Sequence, residues 1–208
     1  LKQKILWRLD QNIELLRAYQ ILRKLKFGNQ SRQQCIFGRM TMPVFDLENI
    51  SLSELNRALQ NNEGSQEDKV YEVNNPKGSH AVSVGLNANI KVIINGSTGY
   101  YCGGMNQKAY IHVYGSVGPG AGENIMSGRL TVEGDASQYA GASGHGGLIL
   151  IKGNASSRCG ISMKGVNILV FGSIGHMAAF MAQSGNLVVL GDVGEDLGDS
   201  IYEANIFV

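Results

Sequence analysis

Six glycines, Gly96, Gly115, Gly134, Gly153, Gly172 and Gly191, follow one another at a constant interval of 19 residues without an insertion. With each taken as position 0, position 3 holds Gly99, Gly118, Ser137, Ser156, Gly175 and Gly194. Position 7 holds Gly103, Gly122, Gly141, Gly160, Ala179 and Gly198. The unit G-x-x-[GS]-x-x-x-[GA] therefore recurs six times in unbroken phase. A fixed period of this length requires one small supersecondary unit, repeated and stacked on its own copies.

The residues around each glycine say what that unit is. Position −4 holds Val92, Ile111, Leu130, Ile149, Ile168 and Leu187, and position −2 holds Ile94, Val113, Val132, Ile151, Val170 and Val189. Aliphatic, mostly β-branched side chains at a spacing of two describe a strand with one buried face. Position 1 holds Ser97, Ser116, Asp135, Asn154, Ser173 and Asp192, short polar side chains suited to bonding the backbone of a tight corner. Position 6 holds Cys102, Ala121, Ala140, Cys159, Ala178 and Leu197, mostly small, as a narrow interior requires. The glycines serve corners of positive φ, or places where an adjacent coil leaves no room for Cβ.

Nineteen residues are too few for a helical hairpin, and the L-x-x-L-x-L-x-x-N frame of leucine-rich repeats is missing. The expected fold is all-β: a right-handed parallel β-solenoid, or single-stranded β-helix, of 19-residue coils with a short N-terminal helical segment. Ile206-Phe207-Val208 falls in phase as a further strand, and residues 70–95 read as a degenerate capping coil.

Glycine is 28 of 208 residues, about twice the usual ~7%, yet only three prolines and no Gly-X-Y run exclude collagen. A 43% apolar, 17% charged chain is not of the disordered class. Runs such as Leu148–Ile151 fall far short of the ~20 apolar residues of a membrane helix, so no membrane span is expected. Three cysteines and no secretory signal imply a cytoplasmic setting.

The organisation divides into residues 1–41, a basic helical extension; 42–69, a short helical lead-in; and 70–208, the solenoid. Residues 1–39 hold nine Lys/Arg against Asp10 and Glu14, and Leu9, Ile13 and Leu16 share a helical face. This extension reads as a docking arm, as a membrane-surface or targeting helix, or as sequence outside the natural fold. It lacks the interleaved aromatics of a nucleic-acid site, and no nucleic-acid partner is expected. In the lead-in, Ser51-Leu52-Ser53-Glu54 has the capping-box pattern for a helix at about 52–61, with Leu52, Leu55 and Leu59 on one face and Gly64 ending it.

The search for chemistry yields no catalytic constellation. The outward strand row at position −3 reads Ile93, His112, Thr131, Leu150, Leu169 and Val188, aliphatic where a free solenoid should be polar. That row is a candidate partner surface, unless another part of the chain covers it. Cys102 and Cys159 share a position three coils apart, ~14 Å along the stack, too far for a disulfide or a shared metal ion, and read as core thiols. Cys35 has no evident partner. His145 and His176 lie in loops without ligand-spaced neighbours. A cleft beside His145, Lys164 and His176 is the one enzymatic possibility, weakened because His176 occupies a different row. Gly118–Gly122 is not a dinucleotide fingerprint, and Gly141-Ala142-Ser143-Gly144-His145 is not a nucleophile elbow. No catalytic, cofactor or metal residue is assigned, and the repeat glycines are structural.

The repeat resembles the GXGXG domain at the C-terminus of the glutamate synthase large subunit, and the corresponding domain in the scaffold component of formylmethanofuran dehydrogenase. Gly134–Gly141 (GDASQYAG) and Gly153–Gly160 (GNASSRCG) are similar to coils of the glutamate synthase domain. Gly99–Gln107 (GYYCGGMNQ), Gly160–Gly165 (GISMKG) and Gly198–Ala204 (GDSIYEA) resemble the stand-alone glutamate-synthase-like subunit, as in the small subunit of N-methylglutamate synthase. The likeness runs from about Met42 to Val208. It implies a non-catalytic structural and docking subunit that binds no cofactor itself. Its implied partners are a class II glutamine amidotransferase subunit and a synthase-like subunit carrying FMN and an iron–sulfur cluster. The alternative implied by the second likeness is the scaffold of a formylmethanofuran dehydrogenase-type oxidoreductase.

Overall fold

The structure, a computed structural model, describes residues 42–62 and 69–208. The expectations for residues 1–41, for Cys35 and for Gly64 lie outside the described residues. The remainder is a parallel β-solenoid. Nine strands form one sheet in sequence order: β1 Val44–Asp46, β2 Lys69–Asn74, β3 Ile90–Asn95, β4 Tyr110–Val113, β5 Arg129–Val132, β6 Leu148–Ile151, β7 Lys164–Val170, β8 Ser184–Val189 and β9 Asn205–Phe207. Every neighbouring pair is parallel.

From β3 onward the register advances by 19 residues per coil, as in Ile94↔Val113 and Val170↔Val189, except at the start of β7, where Lys164 pairs with Ser184 across 20. The lead-in coils are longer. Val73 pairs with Ile94 across 21 residues, and Phe45 pairs with Val73 across 28 because a helix is inserted between them. The sheet thus begins at β1, inside the segment whose sequence suggests only a helix. A second ladder of single bridges runs through position 2, from Thr98 and Val117 to Ile174 and Val193.

The inserted helix α1 spans Leu52–Gln60. The Ser51 hydroxyl accepts from the Glu54 N–H at 3.2 Å, while the Glu54 carboxylate accepts from the Ser51 N–H at 2.8 Å. Together these satisfy two of the donors a helix start leaves orphaned. Leu55 and Leu59 enter the core fully buried. Asn56 clamps the helix to the first coil, donating to the Ala81 carbonyl and accepting from the Ser83 N–H.

All residues at positions −4 and −2 of the six repeats are buried, together with Cys102, Ala121, Ala140, Cys159 and Ala178 at position 6. The position 1 side chains act across coils rather than within one corner. The Ser116 N–H donates to Ser97 Oγ, Asp135 N–H to Ser116 Oγ, Asn154 N–H to Asp135 Oδ1, Ser173 N–H to Asn154 Oδ1 and Asp192 N–H to Ser173 Oγ, at 2.7–3.1 Å. One polar side chain per coil therefore helps to hold the next coil in place.

Each repeat also carries three left-handed residues, at positions 5, 7 and 9, as in Tyr139, Gly141 and Ser143 with φ of 63°, 69° and 53°. Only position 7 favours glycine, because only there does the missing Cβ face the core. A methyl on Gly141 would lie 2.6 Å from Ile168 Cδ1 and 3.0 Å from Ile149 Cδ1. From Gly115 onward the glycines at position 0 answer to backbone crowding instead. A methyl on Gly153 would lie 2.7 Å from the carbonyl oxygen of Gly134 in the preceding coil.

Candidate functional site

The outward face of the sheet is the most organised surface of the described residues. Parallel pairing in register stacks like positions one coil apart, so each outward position becomes a continuous row. The row at position −5 contains Lys91, Tyr110 and Arg129, followed by Leu148, Asn167, Asn186 and Asn205. Lys91 Nζ lies 5.4 Å from the Tyr110 ring centroid, and the Arg129 guanidinium carbon 5.2 Å from it. Further along, Asn186 donates its amide to Asn167 Oδ1 at 2.6 Å, and Asn205 donates to Asn186 Oδ1 at 3.3 Å.

Rows −3 and −1 hold a chain of charge. His112 Nε2 and Glu133 Oε1 are 2.6 Å apart, and Lys152 Nζ is 2.7 Å from Glu133 Oε2. The carboxylate accepts from both, so His112 carries its proton on Nε2. The imidazole also stacks on Tyr114, with centroids 4.3 Å apart and planes inclined by 18°. Burial outweighs the attraction of Glu133 and holds the His112 pKa below its ordinary value, while Lys91 and Lys152 add to the lowering. For Glu133, burial raises the carboxyl, but hydrogen bonds from Lys152 and His112 prevail and leave it below the usual carboxylate value. The trio is a neutral histidine, a carboxylate and an ammonium on a flat surface, charge-balanced within itself.

Of the two readings of the row at position −3, an open partner surface or a covered strip, its centre matches the second. Thr131, Leu150 and Leu169 are only 2%, 2% and 3% exposed, while Ile93, His112 and Val188 are half-buried. Leu150 sits between Thr131 and Leu169 along the ladder, with Leu148 and Lys152 on the same face of its own strand. Sequence periodicity reports which way a side chain points, not what surrounds it. The centre of the row is therefore no free surface, and the accessible parts of the face are its margins, notably Tyr114 at 53% exposed and Leu190 at 49%.

The other candidates fall into place individually. Cys102 and Cys159 are free and fully buried, and burial pushes their thiols up to about 11 and about 12 respectively. His145 and Lys164 are exposed on adjacent coils, where the Lys164 N–H donates to the Gly144 carbonyl at 2.7 Å. His176 is exposed in a different row, its carbonyl accepting from the Arg158 N–H. The structure thus brings His145 and Lys164 to neighbouring coils and leaves His176 in another row. The strand pattern singles out His112 but gives no sign of its link to Glu133 and Lys152. Writing the sequence in columns of 19 would have found it, since −3 of one coil adjoins −1 of the next.

These observations define a class: a parallel β-solenoid with one patterned sheet face. Among the described residues, no group of three or more His, Cys, Asp or Glu is placed to hold a metal ion, and no helix is long and apolar enough to cross a membrane. A comparison with curated proteins finds a stretch of 65 residues that is 62% identical to Protein GlxC of Rhizobium meliloti (strain 1021). The stretch is 31% of this chain and 28% of that protein, so it covers well under two thirds of the relative's length. No family model matches the chain, and no solved structure matches it.

Proposed function

We propose that the chain is a non-catalytic structural and docking subunit of a glutamate-synthase-like complex, N-methylglutamate synthase being the particular candidate. A class II glutamine amidotransferase subunit releases ammonia in such a complex. A second subunit, holding FMN and an iron–sulfur cluster, uses it. The present chain holds the two in place. The observation that carries this reading is the uninterrupted nine-strand parallel ladder. Such a stack ties every coil to its neighbours by backbone hydrogen bonds and offers flat faces to other subunits. The 65-residue identity with Protein GlxC and the glutamate-synthase-like coil motifs add support.

Co-expression with a class II glutamine amidotransferase subunit and an FMN-dependent synthase-like subunit from the same organism tests the proposal. A stable three-component complex that makes glutamate or N-methylglutamate from glutamine, and loses that activity when this chain is omitted, is the expected result. Turnover by the purified chain alone would refute it. So would full activity of the other two subunits without it.

A further inference from the structure

The margin of the sheet face formed by β3, β4 and β5 has the chemistry of a binding surface. Tyr114 exposes 53% of its surface, yet its ring is already fixed by stacking on His112. His112 is fixed in turn by Glu133. A large, pre-ordered aromatic loses little side-chain entropy when something packs on it. Tyr110 lies beneath two cations, Lys91 and Arg129, and neither has a carboxylate partner among the described residues. The carboxylates of the face are committed elsewhere. Glu133 is shared by His112 and Lys152, and Glu72 accepts from the Asn95 amide at 2.6 Å.

The patch therefore presents two uncompensated positive charges two coils apart, about 10 Å along the stack. Exposed and half-buried tyrosines lie beside them. Tyrosine and arginine are among the residues enriched at the centres of protein interfaces. We infer that Lys91, Tyr110, Arg129 and Tyr114 dock an acidic segment of a partner protein, with carboxylates meeting Lys91 and Arg129 and an apolar group packing on Tyr114. This rests on the docking role proposed above and names the chemistry of one contact. A nucleic acid fits less well. The two cations of the patch alone supply few of the phosphate contacts that such binding is built from.

The test uses the full chain with an amidotransferase subunit and a synthase-like subunit from the same organism, with affinity measured at 50 and 300 mM NaCl. Arg129→Glu and Tyr114→Ala should each weaken binding to one partner at least tenfold, and Arg129→Gln by a smaller factor. Arg129→Glu should also flatten the salt dependence. Lys108→Glu, an exposed charge reversal outside the patch, should change nothing. Unchanged denaturation midpoints show that the variants fold. Normal affinity for both partners in Arg129→Glu and Tyr114→Ala would overturn the inference and leave the docking role standing. Failure of the wild-type chain to bind either partner would overturn both. Two further results would also overturn the inference: loss of self-association by Arg129→Glu in the isolated chain, which makes the occupant a second copy, and binding of a 15-mer oligothymidylate at 150 mM salt that Arg129→Glu abolishes.

Discussion

Replacing Gly153 by alanine should injure the stack far more than the loss of one glycine suggests. The new methyl would stand 2.7 Å from the Gly134 carbonyl oxygen and 2.8 Å from its carbon, and it would also meet Asp135 Oδ1. Ordinary contact needs about 3.4 Å or more, so the two coils must part locally by roughly 0.6 Å. The Gly153 N–H to Gly134 O bond, 3.0 Å in the native stack, would then stretch out of hydrogen-bonding range. The 2.7 Å bond from Asn154 N–H to Asp135 Oδ1 would be displaced with it. Overpacking strain of about 1–3 kcal/mol and two weakened hydrogen bonds of about 1 kcal/mol each sum to about 3–5 kcal/mol. That is a large part of the ~5–15 kcal/mol by which a domain is stable. Gly78→Ala is the control. Gly78 has φ of +74° but open space around it, so only the left-handed penalty of about 1 kcal/mol applies. Urea denaturation followed by circular dichroism, with hydrogen exchange at the Gly134–Asn154 rungs, should place Gly153→Ala well below Gly78→Ala. Equal midpoints for the two variants would refute the argument that coil spacing selects glycine at position 0.

Leu150→Ala should cost about 2–4 kcal/mol, close to the core substitution Ile149→Ala, because Leu150 is 2% exposed despite pointing outward; thermal melts of the two variants compare them. Cys102 and Cys159 should resist iodoacetamide at pH 8 in the native protein and react after denaturation, as peptide mapping would show, because burial has pushed their thiols to about 11 and about 12. For His112, the folded pKa lies below the ordinary 6.5, so the unfolded chain takes up this proton first as pH falls. Its contribution to stability is therefore complete above pH 6.5 and lost as pH drops through that value toward the folded pKa. The Glu133 contribution is present above 4.5 and lost on further acidification. Between pH 7.5 and 5.5 the denaturation midpoint should fall more for the wild-type chain than for His112→Gln.

The strand-and-corner plan was legible because Val92, Ile94 and their equivalents recur with an aliphatic spacing of two at one fixed phase. What broke phase was harder to see. The β1 segment, Val44–Asp46, is three residues long and 28 positions from its partner register, since α1 interrupts the coil. The left-handed turns at positions 5 and 9 left no glycine signature, because Tyr139, Arg158 and Ser143 point their side chains away from the core and tolerate the conformation. The polar residues at position 1 were recognisable as corner residues, but their bonds run to the next coil, a relation that exists only once the coils are stacked. The burial of Leu150 and the His112–Glu133–Lys152 chain likewise depend on neighbours in space, not on neighbours in sequence.

Near-equal registration from β3 to β9, broken only by a one-residue shift at the start of β7, means that a whole coil could be excised, or an extra one spliced in, with almost every surviving rung finding an equivalent rung to rest on. Removing a single residue instead would swap inside for outside along the affected strand. The dimension of this protein along its axis is consequently graduated like a gauge, in notches of about 4.8 Å. Evolution or an engineer can tune reach one notch at a time, without redesigning the joints.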